Sequence, residues 1–294
     1  MPLGLFHYQV LCDVLERIHY IYNESELAET ILSKVAEALN TEAGSIFKIY
    51  PDGIIEPLAA YGATVESLKK FEFKTGKGVV GWVAQYGQPI KVENPLNDKR
   101  FMGMVDTSTG FKTRSILAAP IMAKGVPVGV IEFMNKKGGP FAVPDLELLS
   151  IVGREIGIAF ENVKLIKSIE TGKAFREAIV SSLAAGLLVM DMKRRVLALN
   201  PSGKRILGLK CECDEDNPPL MNEILASYPE LVKMLDSLAA SGPSPASRKE
   251  LNLNLGGKPS VIGYSTVPLN KKDGDCIGAA VLFQDITSFV KKDK

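Results

Sequence analysis

At 294 residues, with 46% hydrophobic and 23% charged side chains, the chain has the composition of ordinary globular protein and length enough for two domains. That balance excludes long disorder and fibrous repeats. The 35 Lys and Arg against 34 Asp and Glu leave a formal charge of +1, so no summed field draws the molecule onto nucleic acid or an anionic bilayer.

The N-terminal run Met1 to His7 has no basic stretch ahead of an apolar one, and Asp13 and Glu16 follow early, against a secretory signal. The longest apolar stretch, Ile179 to Met190, is shorter than the roughly 20 residues a membrane helix needs. Four scattered cysteines, Cys12, Cys211, Cys213 and Cys276, make no disulfide framework. A reduced, cytoplasmic setting with no nucleic-acid or membrane partner is expected.

In chain order, Leu11, Val14, Leu15, Ile18, Ile21 and Tyr22, then Leu27, Ile31, Leu32, Val35 and Leu39, recur at three and four. This spacing predicts two helices, the second beginning near Ser25 behind a cap supplied by Asn23 to Glu26. Gly44 to Tyr50 and Ile54 to Tyr61 flank Pro51-Asp52-Gly53 as a β-hairpin. Gly76 to Ala84 reads as a glycine-rich entry into a short helix, and further strands are expected at Pro89 to Glu93, Arg114 to Met122 and Val126 to Asn135.

Asp145 to about Ser182 has a long helical period with two apolar rows. One is Leu149, Val152, Ile156, Ala159, Val163 and Ile166, and the other Leu148, Ile151, Ile158, Leu165 and Ile169. A sheet covers one row, leaving the other for a partner. The heptads falter at Glu170 to Lys173, where Gly172 weakens the helix by about 1 kcal/mol relative to Ala. The organisation expected is 1-168 as a first domain, 169-182 as a helical linker and 183-294 as a second domain.

In the second half, Gly186 to Asp191 and Arg195 to Asn200 read as strands, and Asn200-Pro201 as a cap followed by the first helical residue. Short helices are expected up to Leu209, at Met221 to Leu225 and at Pro229 to Leu238. The period then becomes two: Leu251-Asn252-Leu253-Asn254-Leu255 alternates, Gly256-Gly257 turns, and Ser260 to Pro268 and Ile277 to Asp285 supply more strands. Ser241 to Ser247 reads as a flexible loop within this domain.

The run Gly78-Val79-Val80-Gly81-Trp82-Val83-Ala84, followed by Gly87-Gln88-Pro89, Asp98-Lys99-Arg100-Phe101, Arg114 to Ile121 and Gly129 to Lys136, resembles the GAF family over residues 10 to 168. Gly186 to Asp191, Asn200-Pro201, Ile206-Leu207-Gly208 and the closing Val281 to Thr287 resemble a PAS domain over 174 to 290. The resemblance implies an α+β fold class, with two domains that each have a central antiparallel sheet flanked by helices, joined by a long helix. It also implies a small-molecule pocket on one face of each sheet.

For the first pocket the matched regions name Phe47, Trp82, Arg100, Phe101, Ser115 and Glu132 as ligand-binding candidates. Structural roles are expected for Lys136 and Asp145, which would lock the final helix to the sheet, and for Asn200 and Asp285. Asn135, Lys136, Phe141 and Asp145 approach the pattern of cyclic-nucleotide-binding GAF domains, but Leu146 interrupts its acidic pair.

No cofactor is identified. With no cysteine between Cys12 and Cys211, a covalent bilin or a cysteine-based reductase is not expected, nor is a LOV-type flavin without an Asn-Cys-Arg context. The only histidines, His7 and His19, lie outside the second half, which argues against His-ligated haem there. Cys211-Glu212-Cys213 is the one cluster that could bind metal or cycle redox, but it lacks a second ligand pair, and acidic neighbours disfavour its thiolates. Glycines 76, 78 and 81 are read as a tight turn beneath the pocket, since no Gly-Lys-Ser or Gly-Lys-Thr follows.

With no kinase, cyclase, phosphodiesterase or cysteine-catalytic motif visible, the expectation is a non-enzymatic sensor of a small molecule or redox state. It would act as a homodimer through helices 11-22 and 145-182, read by a downstream effector or kinase partner. The alternatives are a scaffold that binds nothing and a cyclic-nucleotide-binding regulator.

Overall fold

The computed structural model describes residues 4–18, 21, 23–210, 217–241 and 248–290. The chain divides into two compact units, Met1–Glu170 and Thr171–Lys294, with the division inside a continuous helix.

The first unit opens with α1 (Leu5–Ile18) and α2 (Glu24–Leu39). Asn23 caps α2, its Oδ1 accepting from the Ser25 and Glu26 amides at 2.9 and 3.2 Å, while Asn40 ends the helix in a left-handed conformation. The predicted face, Leu27, Ile31, Leu32, Val35 and Leu39, is buried. The first predicted helix begins earlier than expected, at Leu5, and packs Val10 and Val14 into this unit's own core. Its Leu5, Phe6 and Tyr8 are exposed. Tyr22 lies outside the described residues.

Sheet A is formed by β1 (Thr41–Ile49), β2 (Ile54–Tyr61), β3 (Phe73–Lys74), β4 (Ile90–Val92), β5 (Ile116–Ala123) and β6 (Val126–Lys136), in the order β3-β2-β1-β6-β5-β4, antiparallel throughout. Between its strands lie α3 (Val65–Leu68), α4 (Gly78–Tyr86) and α5 (Met104–Thr109).

Strand alternation sorts β6 between two layers. Ile131 and Phe133 join the core built with α1, α2 and the long helix, whereas Val130, Glu132 and Met134 face the opposite side, where α4 and α5 pack. β1 does the same, sending Ile46 one way and Ser45 and Phe47 the other.

The long helix is α6 (Val143–Ser182). Its first apolar row is core: Leu149, Val152, Ile156, Ala159 and Val163 are buried. Gly153 and Gly157 bring it hard against β5, for a Cβ on either would stand 2.4 Å from the Pro120 carbonyl oxygen or 1.9 Å from that of Met122. In the second row Leu148 is buried, but Ile158, Leu165 and Ile169 are 55%, 50% and 69% exposed. The helix does not break at Glu170 to Lys173; its last buried residue is Val163, and every position from Lys167 to Ile179 is exposed.

The second unit carries sheet B, made of β7 (Gly186–Asp191), β8 (Val196–Leu199), β9 (Lys249–Leu255), β10 (Lys258–Asn270) and β11 (Cys276–Asp285), in the order β8-β7-β11-β10-β9. α7 (Pro201–Leu207), α8 (Met221–Ile224) and α9 (Pro229–Ser241) lie between β8 and β9, and α10 (Thr287–Val290) closes the described chain.

Asn200 uses its whole side chain as a fastener. Its Oδ1 accepts from the Gly203 and Leu187 amides, both at 2.8 Å, and its Nδ2 donates to the Ala185 and Val180 carbonyls at 2.9 and 3.2 Å. Asp285 caps the turn into α10, accepting from the Thr287 amide at 2.9 Å and from its hydroxyl.

Candidate functional site

The first unit holds a cavity of about 80 Å³ between sheet A and the segment covering it. Its floor is Ser45 and Phe47 of β1, Glu132 and Met134 of β6 and Ile116 of β5. Phe73 and the start of α4, Gly78 to Val80, form one wall. Phe101, Met102, Val105, Asp106 and Thr113 form the other.

The turn beneath it needs glycine. Gly76 and Gly78 have φ of +83° and +77°, and a Cβ on Gly78 would meet the Met102 sulfur at 2.8 Å. The turn reading of these glycines therefore describes their geometry.

The covering wall is pinned from outside. The Arg100 guanidinium grips Asp98 through two bonds, Nε to Oδ1 at 2.9 Å and Nη2 to Oδ2 at 2.7 Å, and lies 4.8 Å from the centroid of the Trp82 ring. That grip holds the Asp98 carboxyl below its ordinary range. Asp106 of α5 in turn accepts from the Thr113 amide at 2.7 Å and its hydroxyl at 2.6 Å, drawing α5 to the head of β5.

Of the six expected ligand-binding residues, Phe47, Phe101 and Glu132 line the cavity. Trp82, Arg100 and Ser115 do not. The inward face of α4 is Val79, Val80 and Val83, which turns Trp82 outward to Arg100 and Tyr86. Ser115 precedes β5, where its amide is held by Asn135 Oδ1 at 3.3 Å. Asp106, Thr113 and Met102 were not anticipated, because the chain around α5 shows no apolar period.

Glu132 is the chemically distinctive group. It is only 8% exposed, and burial alone pushes its carboxyl from 4.5 up to about 7. Among the described residues no side chain or amide hydrogen-bonds it; its cross-strand neighbours are Ser45 and Ala118.

The Asn135, Lys136, Phe141 and Asp145 set lies outside this cavity. Asn135 donates to Glu42 Oε2 and the Lys112 carbonyl and accepts from the Arg114 and Ser115 amides. Lys136 Nζ meets Asp145 Oδ2 at 2.6 Å, the same oxygen accepts from the Ala142 amide at 2.7 Å, and His7 Nε2 stands 3.4 Å from Oδ1. Burial pushes the Asp145 carboxyl up, but these bonds outweigh it and hold it below its usual range. Lys136 and Asp145 thus tie the end of β6 to the start of α6.

A model of the GAF domain matches residues 23–160, and a model of the PAS fold matches residues 180–291. The chain is a GAF domain followed by a PAS domain.

The chain is 36% identical over 104 residues to the probable 3',5'-cyclic phosphodiesterase pde-5 of Caenorhabditis elegans, covering 35% of this chain and 14% of that protein. It is 30% identical over 171 residues to the dual 3',5'-cyclic-AMP and -GMP phosphodiesterase 11 of Drosophila melanogaster, covering 52% of this chain and 12% of that one. The chain therefore spans at most 14% of the length of either relative. Among solved structures, the GAF domain of a phosphoenolpyruvate-protein phosphotransferase from Coxiella burnetii superposes with a TM-score of 0.50 at 18% identity, over 55% of this chain and 96% of that one. At that identity the likeness is one of fold.

The PAS domain buries Leu188, Met190, Val281 and Phe283 of its sheet with Leu207, Met221, Leu225 and Leu235 of its helices. Tyr228 donates its hydroxyl to the Leu207 carbonyl within this layer. An open groove of about 850 Å³ beside α10 is lined by Arg205, Arg248, Glu250 and Asp285.

Cys211, Cys213 and His19 lie outside the described residues. Among the described residues no group of three His, Cys, Asp or Glu is placed to hold a metal, and no helix is long and apolar enough to cross a membrane.

Proposed function

We propose that this chain is the sensory input portion of a cytoplasmic signalling protein. A small molecule occupies the GAF cavity, and its presence changes the packing of α6, which an effector or kinase partner reads. The observation that carries this reading is the buried Glu132 carboxyl facing a preformed cavity with no partner among the described residues. Such a group is expensive to maintain in a purely structural core. Signalling then requires that the ligand bind one packing of α6 more tightly than the other. The reading assigns no catalytic step to the chain.

A cyclic nucleotide is a second candidate, favoured by the phosphodiesterase relatives. Against it stands the cavity of about 80 Å³. Drug-sized ligands fill pockets of about 300 Å³ or more, so a cyclic nucleotide requires the wall from Phe101 to Thr113 to move outward.

Calorimetric titration of a metabolite panel that includes cyclic AMP and cyclic GMP, with Trp82 fluorescence followed in parallel, tests the proposal. One compound class is expected to give saturable heat and to shift the emission through the Arg100 stack. Silence across the whole panel overturns the sensor and favours the scaffold.

The output requires a parallel homodimer. Ile151, Ile158 and Leu165 recur every seven residues, and the last two, with Ile169, are exposed along one side of α6. Covering each large side chain is worth roughly 1.5 to 3 kcal/mol. Sedimentation at micromolar concentration is expected to show twice the 31.9 kDa chain mass. The Ile158→Lys/Leu165→Lys variant is expected to give a folded monomer. A wild-type monomer removes this route.

A further inference from the structure

The charges around the GAF cavity restrict what can fill it. Lys77 is exposed at its mouth, and both Asp106 carboxylate oxygens are engaged by Thr113. Glu132 remains, more than nine-tenths buried, its carboxyl with no hydrogen bond or ion pair among the described residues. Directly across the strand pair stands Ser45, buried and likewise without a side-chain partner among them, and on the other side is the uncharged Ala118.

The remaining surface is aromatic and apolar: Phe47 and Phe73 lie with ring centroids 4.9 Å apart, and Phe101 closes the opposite wall. Ring faces are electronegative and attract cations. An anion placed here would meet two carboxyl groups with no buried base to offset them. An apolar guest would leave the Glu132 carboxyl dry and unsatisfied.

Resting on the reading of this cavity as a sensor pocket, we infer that its ligand presents a small organic cation, an amidinium, guanidinium or alkylammonium group, seated on the Glu132 carboxylate beside Ser45 and among the phenyl rings. Where Glu132 is protonated beforehand, its O–H bond breaks as the cation enters and the proton leaves to solvent. The cation and the Glu132 carboxylate then form a neutral pair. Binding is therefore coupled to proton release.

Acetamidinium, acetamide and acetate share one shape and differ in charge, and each is small enough for this space. They are to be titrated at constant ionic strength into the full chain carrying ¹³C-methyl methionine, with Met102 and Met134 in the cavity as reporters. Acetamidinium is expected to shift both methyl signals saturably. Because burial raises the Glu132 carboxyl to about 7, binding should be about tenfold tighter at pH 8 than at pH 6. Glu132→Gln should abolish both the shift and its pH dependence.

The inference is overturned if acetate or acetamide matches acetamidinium, if Glu132→Gln binds unchanged, or if none of the three moves the two signals. Binding of acetate or acetamide would leave the sensor reading standing without its cation. The sensor reading itself falls only to the silent metabolite panel.

Discussion

Glu132→Gln is expected to stabilise the GAF domain at pH 8 and to leave it unchanged near pH 4. The unfolded carboxyl titrates near 4.5 and the folded one near 7. Below 4.5 both states hold the proton, so the carboxyl and the amide are nearly equivalent guests. Between the two values the unfolded chain has lost its proton while the folded domain keeps it, and stability falls as pH rises. Above 7 both are ionised and the loss is complete. A shift of that span corresponds to roughly 3 kcal/mol. Urea unfolding followed through Trp82, the only tryptophan and a GAF residue, isolates this domain. Wild type should lose ground to Glu132→Gln across pH 4.5 to 7 and then run parallel to it. Curves parallel throughout would show that the carboxyl is not desolvated in the folded state.

Gly157→Ala is expected to cost about 3 kcal/mol, although alanine is the better helix former by about 1 kcal/mol. The new methyl would fall 1.9 Å from the Met122 carbonyl oxygen and 2.5 Å from its carbon, both backbone atoms of a strand held by its pairing with β6. Neither can rotate away, so the helix must lift off the sheet and open the core beneath Ile156 and Phe160. Gly172→Ala in the same helix is the control. Nothing lies within 4 Å of its added Cβ, so it should be neutral or stabilising by up to about 1 kcal/mol. Thermal unfolding of the two variants should separate in opposite directions; equal behaviour would mean that α6 does not approach β5 this closely.

Where a residue's periodicity determined its environment, the sequence was informative. The alternation of Leu251 to Leu255 is β9, and the cap at Asn23 and the run from Leu27 to Leu39 are α2. Of the two rows of α6, spacing alone does not say which is core; the two glycines on the buried side, Gly153 and Gly157, are the signal that marks it. Short elements escaped for a physical reason. α5, with the sequence Met-Val-Asp-Thr-Ser-Thr, has no repeating apolar face, and the two-residue β3 is held only by pairing with β2.

The site was half legible. A carboxyl within Val130-Ile131-Glu132-Phe133 stands out in a buried strand, and alternation assigns its side. Trp82 and Arg100 stand outside the cavity because the inward face of α4 follows its three valines and leaves the larger aromatic to stack on the loop.

Both sheets share a construction with a consequence for how the chain becomes folded. In sheet A the first strand pairs with the last, Ser45 lying opposite Glu132, and in sheet B Leu188 of the first strand lies opposite Val281 of the last. The middle of each sheet is thus its longest-range pairing, and the ordering entropy of the intervening chain is spent before that pairing forms. On a ribosome, α2 and the β1-β2 hairpin must wait with an open edge until β6 emerges, and β7 with β8 until β11 does. An interruption just ahead of Cys276 would therefore remove the centre of sheet B instead of trimming its rim. It would leave β8-β7 and β10-β9 as separate ribbons, each with an unpaired edge open to other chains.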